Sequence, residues 1–289
     1  TFDIKKNVKF HNGRPMTVDD IIWSFNRIAT LKPSPHGVRF MKDIKGMQEC
    51  QDGKADSLAG VTKIDDFTLK IELAARVDLA YGLFWQSTCI LPKEEVARKD
   101  FASNPVGLGR FKFVKWVKDD QIILEKNTDY WDKSAGPYLD KVVFRSIPEN
   151  SVRFLELKAG GIHICQFPNP ADIDLARKDK NIKLISQPGM NIGYLSFNHT
   201  KEPWKSNLHL RKAIAHAINR QAIVDNLYQG MGQVAKNPIP PTMWGYNTEV
   251  PGFKYDVELA KAELAKAGFP EGKGLPEITL WSMPVPRPY

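Results

Sequence analysis

Between Asn191 and Tyr246 the chain reads NIGYLSFNHTKEPWKSNLHLRKAIAHAINRQAIVDNLYQGMGQVAKNPIPPTMWGY. An apolar strand, a polar loop, a helical segment and a Pro-rich connection follow one another there, so the chain around it must be a mixed fold. Leu210, Ala213, Ile214, Ala217 and Ile218 recur at three- and four-residue spacings and predict one buried helix face, with Arg211, Lys212 and Asn219 turned to water. A second apolar set, Ile223, Leu227 and Tyr228, continues the pattern. The segment reads either as one long helix or, with Asn219 as an N-cap and Gly230 as a stop, as two short ones.

The segments before it alternate between the two periods. TFDIKKNVKFHNGRP predicts a strand and a tight turn at Asn12-Gly13. Thr17 stands three residues before Asp20 and just ahead of Ile21, Ile22, Phe25 and Ile28, a capping box opening an amphipathic helix. Pro33 to Gly60 is broken by Pro and Gly and carries no readable period. VTKIDDFTLKIEL predicts two strands about a turn at Asp65-Asp66, and the apolar, aromatic run from Leu79 to Leu91 predicts core or cleft wall.

NPVGLGRFKFVKW follows, in which Gly107 and Gly109 free the backbone for a bend before a strand. Strands alternate with turns from Arg110 to Ile147. SVRFLELKAG is then a helix with Val152, Leu155 and Phe154 as inward candidates. GIHICQF, NIKLIS, NIGYLSFN and LPEITLWSM read as strands, PADIDLARK as a helix, and VELAKAELAKAG as a helix capped by Asp256, with Leu259, Ala260 and Leu264 buried and Gly268 ending it.

Chemistry is sparse in this pattern. The acid pairs Asp19/Asp20, Asp65/Asp66 and Asp119/Asp120 sit at helix starts and turns, where Asp is wanted for structure. His209 and His216 are seven apart, not four, and the other histidines share no ligand spacing, so no metal is expected. Cys50, Cys89 and Cys165 have no CxxC spacing; one bridge with one free thiol and three separate thiols both remain open. The 41 basic residues are interspersed with 33 acidic ones, which argues against a nucleic-acid footprint despite the net charge of +8. No apolar run approaches the roughly 20 residues of a membrane span. The chain opens at Thr1 directly in strand-like sequence, without a signal peptide, which predicts a processed or truncated product.

GYLSFN, LRKAIAHAINRQAI, YQGMGQVAKNPIPPTMWGY and LWSMPVPRPY, in this order, together with KFHNGRPMTVDDIIWSFNRI and GPYLDKVVF, resemble the extracytoplasmic solute-binding proteins of peptide-type ABC importers, family 5. The likeness is to the dipeptide-binding branch, some of whose members bind haem. It implies an α/β two-lobe periplasmic-binding-protein fold with an extra subdomain, both ends of the family being absent. Residues 1–103 would form the additional subdomain, 104–187 part of the first lobe and 188–289 the start of the second. The resemblance implies capture of a dipeptide or short peptide in an interlobe cleft and delivery to permease subunits in the inner membrane, with haem or longer peptides as alternative ligands and a peptide hydrolase as the alternative of another class. A monomer in the periplasm or anchored by lipid is implied, without catalysis and without a cofactor. It also implies that residues 1–289 alone expose apolar surface.

By the same resemblance the RPY run carries the site. Arg287 would hold the ligand's carboxylate, with Tyr289 in the pocket wall. Pro284, Pro286 and Pro288 stiffen the backbone about the guanidinium, which can grip a carboxylate through two parallel hydrogen bonds. Gly107, Gly109 and Met283 are the cleft or hinge candidates. The family's Gly-Thr-Gly-Pro loop is here Gly107-Leu108-Gly109-Arg110, and Pro286 replaces a polar residue.

Overall fold

The structure is a computed structural model that describes residues 1–34, 39–85 and 88–282. Its chain divides into two compact units, Thr1–Ser146 and Ile147–Tyr289.

In the first unit, helix α1 (Val18–Thr30) begins where Thr17 donates its backbone N–H to Asp20 Oδ2 at 3.0 Å, as the Thr-x-x-Asp pattern predicts. Its buried side, Val18, Ile21, Phe25 and Ala29, packs with Met41, Ile44, Met47, Cys50, Leu58 and Leu69. Removing this much apolar surface from water is the main source of the unit's stability. The unreadable stretch after Pro33 holds helix α2 (Met47–Asp52), bounded by Gly46 and Gly53 in left-handed backbone. A Cβ on Gly46 would fall on the Ala59 nitrogen, so glycine is needed there for space as well as for φ.

Strands β1 (Phe2–Asp3), β2 (Val61–Asp65) and β3 (Thr68–Ile71) form an antiparallel sheet in the order β1-β3-β2. Asp65 makes its turn by accepting the Phe67 N–H at 2.8 Å. The Leu79–Leu91 run divides in its role. Leu79, Leu83 and Ile90 pack on the core, whereas Phe84 is 91% exposed and Trp85 stacks on Phe40 with ring centroids 4.5 Å apart. Phe84 is therefore not core; the short helix α3 (Leu79–Leu83) ends just before it, and another short helix, α4 (Lys93–Val96), follows.

A second antiparallel sheet joins β4 (Phe111–Val117), β5 (Gln121–Lys126) and β6 (Lys141–Arg145). Its register shifts between Phe113 and Lys115, so Phe113 opposes Leu124 and Trp116 opposes Ile122. The extra residue brings Phe113 and Trp116 to one face, in line with Val142 and Phe144 of β6.

In the second unit, helix α5 (Asn150–Lys158) buries Phe154, and Val152 and Leu155 lie at the surface, contrary to the predicted face. Helix α6 (Pro170–Lys178) buries Ile173 and Ala176. The organising stretch resolves into two helices, α7 (Leu208–Ala217) and α8 (Arg220–Asn226), because Asn219 caps the second by accepting the Ala222 N–H at 2.9 Å. Leu210 and Ala213 are buried as expected, but Ile223, Leu227 and Tyr228 are exposed, and the chain leaves the helix at Leu227, before Gly230.

Helix α9 (Val257–Lys266) starts at Asp256, which accepts the Leu259 N–H at 2.9 Å, and the chain beyond it turns at Gly268 in left-handed backbone. Its buried residues are Ala260 and Glu263, with Leu259 exposed. The strands expected in GIHICQF, NIKLIS, NIGYLSFN and LPEITLWSM are absent among the described residues. No backbone–backbone hydrogen bond begins or ends within 183–197 among the described residues, and an extended segment without a ladder partner is not a strand.

Candidate functional site

Of the residues singled out by sequence, Arg287, Tyr289 and Met283 lie outside the described residues. Gly107 and Gly109 are described, and the structure surrounds them with polar anchors from three distant parts of the first unit.

The loop leaves the turn at Asp100–Ser103. Asn104 donates its N–H to the Asp100 carbonyl at 2.9 Å, and Arg98 Nη2 donates to the Asn104 carbonyl at 2.7 Å. Val106 and Leu108 then pack on the small cluster of Val8, Phe10 and Met16, with Trp131 beside them. These apolar contacts aim the intervening backbone of Gly107 outward at the turn His11-Asn12-Gly13.

There the backbone meets one imidazole. His11 donates its backbone N–H to the Gly107 carbonyl at 2.9 Å, and Gly107 donates its own N–H to His11 Nδ1 at 3.2 Å. An amide N–H needs an acceptor, so Nδ1 is unprotonated and the ring proton sits on Nε2, which donates to the Gly109 carbonyl at 3.0 Å. That carbonyl also accepts from Asn127 Nδ2 at 3.0 Å, while Asn127 donates its backbone N–H to Arg110 at 2.9 Å. Burial, opposed by the Gly109 hydrogen bond and aided by repulsion from Lys112, lowers the His11 pKa below its usual 6.5.

The expected bend before β4 is present at 108–110, but it does not draw on left-handed backbone at either glycine. Neither Gly107 nor Gly109 has a left-handed φ, and a Cβ on Gly107 would meet His11 Cε1 only at an ordinary 3.7 Å. Hydrogen bonding from outside shapes the loop, not glycine's conformational freedom. The cations nearby are held on aromatic rings and a carboxylate: Lys5 Nζ lies 4.2 Å from the Trp131 ring centroid, Arg110 Cζ 5.7 Å from that of Tyr130, and Lys112 Nζ 3.8 Å from Asp129 Oδ2.

On the other side of the same turn, Arg14 grips Asp20 with two nitrogens, at 2.7 and 3.1 Å, and Glu94 with Nε at 2.6 Å. Burial pushes the Glu94 carboxyl up, but its own backbone N–H, Arg14 and Asn12 outweigh it and hold it below the usual value. The Arg14 guanidinium is correspondingly harder to deprotonate, chiefly through Asp20. The Asp pairs are structural here: Asp20 binds Thr17 and Arg14, and Lys63 bridges Asp19 at 2.7 Å and Asp66 at 2.6 Å. Among the described residues no three His, Cys, Asp or Glu side chains gather as a metal site.

His11 and Asn127 went unrecognised in the sequence as site residues. The first lies 96 positions from Gly107 and the second 18 from Gly109, and neither separation has a local signature.

A family model described as "Bacterial extracellular solute-binding proteins, family 5 Middle" matches residues 1–285. The dipeptide-binding protein of Escherichia coli is 36% identical, over all of this chain and 55% of its own length. Heme-binding protein A of Haemophilus influenzae is 33% identical, over 99% of this chain and 53% of its own length. The solved periplasmic binding protein DppA of Helicobacter pylori, in complex with peptide STSA, superposes with a TM-score of 0.75 at 31% identity, covering 93% of this chain and 54% of that one. The chain spans about half the length of the curated relatives it matches.

Proposed function

The chain belongs to the bacterial extracellular solute-binding proteins, family 5, and from that premise we propose that the protein captures dipeptides or short peptides and hands them to a membrane-embedded ABC importer. The observation that carries this reading is the family match over residues 1–285, joined to relatives named for di- and tripeptides that align with the whole chain. The protein works outside the cytoplasm, as the family's description implies, and performs no catalysis on its ligand. No described helix is long and apolar enough to cross a membrane.

Arg287 takes the peptide's terminal carboxylate through a paired hydrogen bond, and Tyr289 lines the pocket beside it. Pro284, Pro286 and Pro288 support this by limiting the backbone freedom that would otherwise be lost on binding. Main-chain charges of the ligand supply affinity, and a roomy pocket tolerates varied side chains. Residues 1–103, 104–187 and 188–289 are assigned respectively to an additional subdomain, part of a first lobe and the start of a second.

Haem is the second reading, favoured by the haem-binding relative that aligns over 99% of this chain. The test is to titrate the intact protein and its Arg287→Ala variant with Ala–Ala and with haem, following tryptophan fluorescence. Saturable Ala–Ala binding that the variant loses by about 100-fold supports peptide capture, since losing a desolvated charge-assisted pair costs on the order of 3 kcal/mol. Haem binding alone, unaffected by Arg287→Ala, overturns the ligand assignment.

A further inference from the structure

We propose that His11 is the positioning residue of the Gly107–Gly109 loop: as a neutral imidazole it clasps the loop from both ends, and on protonation it lets the Gly107 end go. The consequence drawn for ligand affinity rests on the peptide reading above; the clasp itself does not.

The geometry carries the proposal. The two ring nitrogens make opposite demands on the loop, Nδ1 accepting from Gly107 N–H at 3.2 Å and Nε2 donating to the Gly109 carbonyl at 3.0 Å. Only the neutral form with its proton on Nε2 satisfies both. A second proton on Nδ1 would point at the Gly107 N–H, setting donor against donor in a half-buried place where neither hydrogen reaches another acceptor easily. The loop then keeps the His11 N–H to Gly107 carbonyl bond, the Nε2–H to Gly109 carbonyl bond and the Asn127 amide on Gly109, but loses the Gly107 N–H to Nδ1 bond that closes it.

The charges on the elements about the ring do not offset that proton. Lys112 on β4 repels it and is itself shared with Asp129 at 3.8 Å. Arg14, on the same turn as His11, is committed to Asp20 and Glu94, and Glu95 takes the Asn12 amide at 2.8 Å. Arg110 follows the loop directly with a further positive charge. A lowered His11 pKa agrees with this arrangement.

Glutamine supplies the control, because its amide carries an acceptor oxygen and a donor nitrogen on one carbon, as the neutral imidazole carries its acceptor and donor nitrogens on Cε1, and does not titrate in this range. In the intact protein, hydrogen exchange of the 104–111 segment would be followed by mass spectrometry from about pH 7.5 to about pH 5 for the wild type, His11→Gln and His11→Ala, corrected for intrinsic rates. The wild type should lose up to roughly tenfold in protection across that range, about what one net hydrogen bond provides. His11→Gln should stay protected throughout, and His11→Ala should hold at every pH no more protection than the wild type keeps at about pH 5, with its far-UV circular dichroism unchanged. A parallel Ala–Ala titration should show wild-type affinity falling with the loop's protection and His11→Gln affinity staying flat.

A decline in His11→Gln that matches the wild type, or wild-type protection that ignores pH, overturns the clasp. If His11→Ala fails to fold, the His11→Gln comparison still decides. Exchange that behaves as expected while Ala–Ala binds at no pH supports the clasp and removes the peptide reading instead.

Discussion

Asn207 ties together two helix ends, its own and one 60 residues further along: its Oδ1 accepts the Leu210 N–H at 3.0 Å, starting α7, and its Nδ2 donates to the Ala267 carbonyl at 2.9 Å, finishing α9. One side chain thereby satisfies an orphan donor of one helix and an orphan acceptor of the other. The two helices run antiparallel, for at the other end of the pair Asp256, which caps α9, donates its N–H to the His216 carbonyl in the last turn of α7 at 3.0 Å.

Replacing Asn207 by Ala should cost about 2 kcal/mol, more than the ~1 kcal/mol typical of an N-cap alone, because two helix ends lose a partner. Asn207→Asp should recover the α7 cap but set a carboxylate oxygen against the Ala267 carbonyl, leaving it intermediate. Urea unfolding of the three proteins, followed by far-UV circular dichroism, checks the order; equal stability of the Asp and Asn forms would remove the α9 half of the claim.

Glu263 lies buried between the same helices, receiving Lys266 at 2.8 Å and His209 Nδ1 at 2.7 Å. Lys266 first, and His209 after it, hold its carboxyl down at about 2 against the penalty of burial. A folded value below the ordinary 4.5 means that the unfolded chain binds the proton first as pH falls. The stabilisation is therefore complete above the ordinary value and drains away as pH drops from there through about 2. Thermal midpoints measured down this acid range should fall more steeply for the wild type than for Glu263→Gln, and superimposable acid limbs would contradict the assignment.

Gly46 and Gly13 share a φ of +90° but not a neighbourhood. At Gly13 a Cβ meets nothing within 4 Å, so Gly13→Ala should cost about 1 kcal/mol, the strain of left-handed backbone alone. At Gly46 the Cβ would also collide with Ala59, and the loss should exceed about 3 kcal/mol as the α2 entry shifts. Denaturant midpoints of the two variants separate conformational strain from collision; a milder effect at Gly46 than at Gly13 would refute the packing argument.

Ser24, buried in α1, donates Oγ–H to the Asp20 carbonyl at 2.7 Å and accepts the Leu91 N–H at 3.0 Å. Ser24→Ala keeps the helix but orphans the Leu91 amide, at a cost of about 1–3 kcal/mol. Hydrogen exchange at Leu91 should quicken more than at any α1 amide; uniform change across α1 would point to a general loss of packing.

Much of the local structure was legible because its causes are local. Thr17 with Asp20, Asn219, Asp256 and the Asp65 turn each act within three residues of themselves, and each does in the structure what its spacing implies. The buried stripes were less legible. Leu155, Leu259 and Ile223 have the right period yet lie at the surface, because period states which residues share a face and not whether anything covers it. The four segments expected as strands in the second unit failed for a related reason: strand sequence becomes strand only beside a partner. For the candidate site, Gly107 and Gly109 stood out as residues, but the His11 and Asn127 side chains that hold them did not.

The sequence by itself determined the family, the mixed α/β character and the N-caps of α1, α8 and α9, since these rest on residue identity and on interactions spanning a few positions. Tertiary structure alone decided which faces are covered, which ring nitrogen of His11 carries its proton and where the β4 bulge falls. That bulge is the plainest case. Strict alternation from Phe111 would place Trp116 beside Lys112, on the face opposite Phe113, yet the shifted pairing with β5 carries it round to Ile122 and Phe144. Register is a property of two strands together, and no single stretch of sequence contains it.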